Sequence, residues 1–179
     1  KSVVDELKTL KLKISTSDLK GRVDIRKTKT FTIDPENAKD FDDAISVKKL
    51  SNGNWEVGVH IADVAQYVSK GSALDKEASL RGTSVYLVDR VIPMLPELIS
   101  NDLCSLKPRV DRLAYSVFFE MSESAKLIGH KISKSIIHSD KRFTYQSAQE
   151  VINKKTGVFA KELLLLDRLS KILRKNRQE

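Results

Sequence analysis

The sequence holds one cysteine, Cys104, in 179 residues. A lone thiol excludes an intrachain disulfide framework and a zinc site built from several cysteines. No apolar run approaches the ~18–20 residues that a membrane-spanning helix needs. The opening stretch, KSVVDELKTLKLK, lacks the charged start, apolar core and cleavage site of a secretory leader, so none is expected. Aromatic residues make up only 6%, too few for the stacking platforms of a glycosidase. Internal repeats and low-complexity tracts are absent. What remains is 40% apolar, enough to bury a core and exclude wholesale disorder. The length suits one ordinary domain or part of a larger one. A cytoplasmic, reducing location with no membrane partner is the expectation.

The net charge of +8 is unevenly spread. Residues 1–31 carry nine Lys/Arg against four Asp/Glu, and residues 130–179 carry twelve against five. Residues 48–129 balance at ten each, while residues 32–47 hold one Lys and five acids. An acidic island thus sits between basic flanks. Solvated helix faces explain such flanks plainly; a polyanionic partner explains them functionally. Local acid would weaken phosphate binding unless metal ions offset it.

Periodicity outlines the elements. Residues 2–12 read as a short amphipathic helix, and 13–31 as a polar connector ending in a strand that Pro35 stops. Residues 44–50 and 55–62 read as a hairpin around Asn52-Gly53. A helix over 72–82 is predicted, with Ser72 as N-cap and Gly82 as stop. Residues 84–92 read as a strand, with Pro93 and Pro96 bracketing a loop. Residues 112–121 and 127–138 form a second predicted hairpin, and Thr144 caps a predicted helix over 145–154. Leu163, Leu166, Leu169, Ile172 and Leu173 give 159–175 a helical stripe that runs on toward Glu179 without a Gly or Pro stop. The fold class expected is α+β, a mixed, mainly antiparallel sheet with flanking helices.

Asp34, Asp40, Asp42 and Asp43 fall within ten residues, in FTIDPENAKDFDDAI. Four neighbouring carboxylates repel and raise one another's pKa. A divalent cation removes that conflict, and Mg²⁺ favours oxygen ligands with room for water and phosphate. Phosphodiester hydrolysis uses this arrangement. An exposed acidic loop, with Asp34 and Asp40 as turn or cap residues, stays open as the plain alternative. A calcium loop of the EF-hand type fails because Ile45 stands where Gly is required. An Asp-x-Glu nuclease built on Asp34 and Glu36 is open, although Pro35 would break the strand that such a motif occupies. His60 alternates with Val57, Val59 and Ile61 and reads as a satisfied sheet histidine rather than a metal ligand. Cys104 reads as a small buried residue, not a nucleophile. Arg81, Arg90, Lys107, Arg109 and Arg112 read as surface charges, with phosphate contact as the alternative.

TIDPENAKDFDDA (residues 32–44) resembles the signature of the ribonuclease II/ribonuclease R (RNB) family of exoribonucleases. VHIADVAQYV, LDKEASLRGTSVYL, RVIPMLPE and LCSL match in order, and GRVDIR resembles the segment just before the catalytic domain. The fuller pattern is closer to ribonuclease R. Ala65-Gln66 and Val88 depart from it; none of the aspartates does. The resemblance implies a processive hydrolase that degrades single-stranded RNA from its 3′ end to nucleoside 5′-monophosphates. It implies Mg²⁺, or Mn²⁺ in its place, on Asp34, Asp42 and Asp43, with Asp40 at the same site and also needed for activity. Tyr86 takes the place of the aromatic that stacks on 3′ bases. Residues 1–30 become a lead-in and 31–179 the N-terminal portion of the catalytic domain. The second half of that domain, with an Arg and a Glu for the site, and the oligonucleotide-binding barrels would lie elsewhere in a monomeric parent. The expectation for the piece alone is little or no turnover.

Overall fold

The computed structural model describes residues 2–178. Its elements run α1 (Val3–Thr9), β1 (Val23–Asp24), β2 (Thr30–Asp34), β3 (Asp43–Lys49), β4 (Trp55–Ala62), α2 (Ala73–Arg81), β5 (Val85–Tyr86) and β6 (Val91–Ile92). β7 (Asp111–Met121), β8 (Leu127–His138), β9 (Lys141–Thr144), α3 (Tyr145–Lys154) and α4 (Ala160–Asn176) follow. Seven strands form one sheet in the order β1-β8-β7-β4-β3-β2-β9. The outermost pairings, β1 with β8 and β2 with β9, are parallel, and all others in it are antiparallel. The α+β class with a mixed, mainly antiparallel sheet is what the structure has.

Local chemistry sets most boundaries. The Ser72 hydroxyl accepts from the Asp75 N–H (3.2 Å), and Gly82 closes α2 at φ +71°, where other residues are strained. Thr144 accepts from the Ser147 N–H (3.0 Å) and starts α3. β3 and β4 pair from Asp43↔Ile61 to Lys49↔Trp55 across the Asn-Gly turn.

Three readings are corrected. Residues 84–92 are not one strand: the Leu87 N–H donates to the Arg90 carbonyl (2.8 Å), folding β5 onto β6 as a small exposed hairpin. No core covers these apolar residues, so strand composition alone did not extend the strand. Leu173 is 39% exposed, while Leu163 and Leu169 are buried. α4 closes at Asn176, with the Arg177 N–H on the Arg174 carbonyl (3.3 Å), and Glu179 lies outside the described residues. The parallel strand β9 and the single π-turn at Ile99–Leu103 have no short-range signal and went unread.

Both sheet faces are covered. Phe41, Leu74, Leu95, Ile99, Cys104 and Leu106 pack against Ala44, Ala62, Ala114, Phe118 and Ile137 on one side. On the other, Leu165, Leu166, Leu169 and Ile172 of α4 cover Val47, Val57 and Met121. Residues before β2 are tied in by a buried ion pair, Arg22 to Asp63 at 2.6 Å.

A polar line crosses the middle strands. His60 is fully buried, with Nε2 2.9 Å from Ser46 Oγ and Nδ1 2.7 Å from Ser116 Oγ. Ser116 Oγ meets Ser135 Oγ at 2.5 Å, and the Ser135 hydroxyl donates to the Ala114 carbonyl (3.3 Å). Gly58 makes room for this ring: a Cβ there would fall 2.7 Å from it. The satisfied sheet histidine expected from the alternation is what stands there.

Burial pushes the His60 pKa down to about 4 from 6.5. The unfolded chain takes up that proton below about pH 6.5, and the folded chain resists until about pH 4. Stability from this residue is therefore full above pH 6.5 and drains as pH falls toward 4, by roughly 3 kcal/mol. Urea midpoints measured from pH 7 to pH 4 should fall more steeply for the wild type than for His60→Gln. Parallel pH slopes for the two would remove His60 as the cause.

Candidate active site

β2 ends at Asp34 because Pro35 has no N–H to offer the ladder. β3 begins at Asp43, opposite Ile61. The two aspartates thus stand at neighbouring strand ends, and residues 35–42 arch between them. That arch is pinned from beneath. Phe41 is 9% exposed and packs in the main core, which leaves Asp40 and Asp42 on either side of a buried ring. The Phe41 N–H donates to Ser105 Oγ (3.1 Å), and the Ser105 hydroxyl donates to the Lys39 carbonyl (2.6 Å). The Leu106 N–H donates to the Phe41 carbonyl (2.8 Å). From β9, Arg142 Nη2 donates to the carbonyls of Pro35 (2.5 Å) and Glu36 (2.6 Å), with its guanidinium 5.6 Å from the Phe41 ring centroid.

The result is a cleft of about 700 Å³ lined by all four aspartates and by Tyr86 and Arg90 of the small hairpin. The Tyr86 hydroxyl donates to Asp40 Oδ2 (3.1 Å) while the residue stays 67% exposed. Every sequence-predicted site residue is therefore brought to one place. Glu36, the second acid of the Asp-x-Glu alternative, is exposed and does not line the cleft.

Electrostatics set the carboxylates apart. Burial pushes the Asp34 pKa up; the Thr32 hydroxyl beside it and the Arg142 charge oppose the rise, and the charges of Asp43 and Asp40 add to it. Asp34 Oδ2 is buried with no hydrogen-bond partner. Asp42 has a solvent-exposed surface, yet loss of water around its carboxyl raises its pKa, and Asp40, Asp43 and Asp34 add to the rise. The hydrogen bond to Asp40 raises the Tyr86 phenol. An unpartnered buried oxygen among like charges fits a hard cation by its chemistry. Among the described residues, no three His, Cys, Asp or Glu side chains close round a metal position by themselves. Water and substrate phosphate would have to complete a Mg²⁺ shell.

Of the other singled-out residues, Arg90 lines the cleft while Cys104, Arg81, Lys107 and Arg112 do not. Cys104 is buried beneath the site, and burial pushes its thiol up to about 12, so it is no nucleophile. Arg81 pairs with Glu77, Arg90 with Asp89, and Lys107 and Arg112 both with Asp102. Sequence reading missed Arg142, whose role appears only once β9 lies beside β2. It passed over Ser105, although LCSL was within the matching stretches.

A model of the RNB domain matches residues 22–179. The chain belongs to the RNB-domain family. It is 50% identical over 152 residues to ribonuclease R 1 of Lactococcus lactis, covering 85% of this chain and 19% of that protein. It is 46% identical over 179 residues to ribonuclease R of Chlamydia trachomatis, covering 99% of this chain and 26% of the other. Among solved structures, Mycoplasma genitalium RNase R in complex with ribose-methylated single-stranded RNA superposes with a TM-score of 0.89 at 32% identity. That likeness covers 99% of this chain and 29% of the other. The chain thus spans about a fifth to a quarter of the length of the curated RNB relatives it matches.

Ser105→Ala would strand a buried Phe41 N–H and a Lys39 carbonyl at the base of the arch. A loss of about 1–3 kcal/mol is expected in urea unfolding. A change below about 0.5 kcal/mol would show that the arch is held without it.

Proposed function

We propose that the chain carries the carboxylate and 3′-nucleotide part of the active site of a processive, metal-dependent 3′→5′ exoribonuclease that releases nucleoside 5′-monophosphates. The carrying observation is the single cleft that gathers Asp34, Asp40, Asp42, Asp43 and Tyr86, with Tyr86 bonded to Asp40. Membership of the RNB family and relatives named ribonuclease R support it.

In this reading Asp34, Asp42 and Asp43 hold Mg²⁺, or Mn²⁺ in its place, with Asp40 at the same site. When bound, the metal activates water and stabilises charge on the phosphate. The chain's own residues do the rest. The exposed Tyr86 ring offers a face to the terminal base, a contact worth ~1–3 kcal/mol that tolerates any base. Its bond to Asp40 fixes that face over the carboxylates. The buried Phe41 and Ser105 hold the arch so that four like charges stay in place before any cation arrives. His60 is sealed in the sheet, so this reading assigns it no part as general base.

Residues 1–179 alone are proposed to bind the ion and turn RNA over slowly or not at all. Mg²⁺ titrated into the chain by calorimetry should bind at least ~10-fold more weakly to Asp42→Asn. Glu36→Gln should stay within about twofold of the wild type. Equal loss in both variants would favour the Asp-x-Glu class. Magnesium binding indifferent to Asp42, with RNA still bound, would favour an RNA-binding module without chemistry.

A further inference from the structure

A second concavity, of about 770 Å³, lies between α4 and the far ends of β2 and β3. Six cations line it, Lys27, Lys29, Lys48, Lys49, Lys161 and Arg168, against one carboxylate, Glu162. Lys29 is neutralised by Glu162 (2.7 Å) and Lys48 by Glu56 (2.9 Å). Lys49 lies 3.8 Å from Glu123 and 5.2 Å from the centroid of the Trp55 ring. Lys27, Lys161 and Arg168 are exposed and form no ion pair among the described residues.

The cations are arranged along an apolar floor. Lys161, Leu164, Leu165 and Arg168 follow the i, i+3, i+4, i+7 spacing of one helix face and all line the groove, opposite Val47 and Trp55. Unpaired like charges in a concave site raise a positive potential that only an anion relieves. A cationic rim over an apolar and aromatic floor matches the two faces of single-stranded nucleic acid, phosphates outside and bases within. Lys49 is six residues along β3 from Asp43, about 20 Å at strand rise, so this groove is not part of the carboxylate cleft.

We propose that this groove is a second, sequence-independent binding site for the backbone of single-stranded RNA. Lys27, Lys161 and Arg168 would contact phosphates, and Trp55 with Leu164 and Leu165 would receive bases. The site goes beyond the catalytic reading and stands whether or not the carboxylates hold a metal.

The test uses the 179-residue chain and a fluorescein-labelled oligouridylate of about 12 nucleotides, followed by anisotropy in EDTA at several salt concentrations. Lys161→Glu/Arg168→Glu should weaken binding at least tenfold and reduce the slope of log K against log salt by about 1.4 or more. Lys27→Gln/Lys49→Gln provides a second variant with a smaller loss, and circular dichroism melts confirm that both pairs fold. Lys70→Gln/Lys76→Gln, a pair of exposed cations lining neither the groove nor the cleft, should leave this binding within about twofold, which separates the groove from a general effect of net charge. Wild-type affinity and slope in both folded groove variants would overturn the proposal. So would polyglutamate binding that the groove variants abolish, with RNA bound equally by all proteins: the groove would then take an acidic protein segment.

Discussion

The site depends on the burial of Phe41. Its ring enters the core between Asp40 and Asp42, so the hydrophobic effect holds two carboxylates where their mutual repulsion would otherwise spread them. The neighbouring Ser105 and Leu106 contacts fix the arch on both sides of that ring, and Arg142 straps it from β9. Without this anchor, residues 35–42 would be an ordinary acidic loop, free to move its charges apart. The arrangement is thus built by core packing and backbone hydrogen bonds, against the mutual repulsion of its carboxylates.

The uneven charge of the sequence takes a spatial form. The acidic island occupies one end of the β2–β3 pair. Lys27 and Lys29 from the first basic flank, Lys161 and Arg168 from the last, and Lys48 and Lys49 at the end of β3 gather near the other end. Flanks more than a hundred residues apart in the chain therefore meet on one groove, because α4 lies across the strands that carry the island.

What could be read from residues alone was what local chemistry decides. The Ser72 and Thr144 caps, the Gly82 stop, the Asn-Gly turn and the alternation around His60 each act within a few positions, and each is present in the structure. The aspartates and Tyr86 were legible because their spacing resembled a family signature. The split of 84–92 was not legible, since strand composition does not say whether a core will cover the strand. Arg142 reaches the arch through a parallel pairing over a hundred residues distant, and no local pattern marks it. Ser105 shows the intermediate case, inside a matching stretch but with a role that is purely tertiary.

Strand length joins these points. β3 has seven residues, with a carboxylate at its first position and lysines at its last two. Its middle is fixed by Ser46, which meets His60 in the buried polar line. Shifting the β3–β4 register by one would turn every β3 side chain to the opposite face. Asp43 would then leave its place beside Asp34, and Ser46 would leave the histidine. The same pairing that satisfies a buried imidazole therefore also sets where the Asp43 charge stands, so the polar line in the core and the acidic cleft at the surface are consequences of one register.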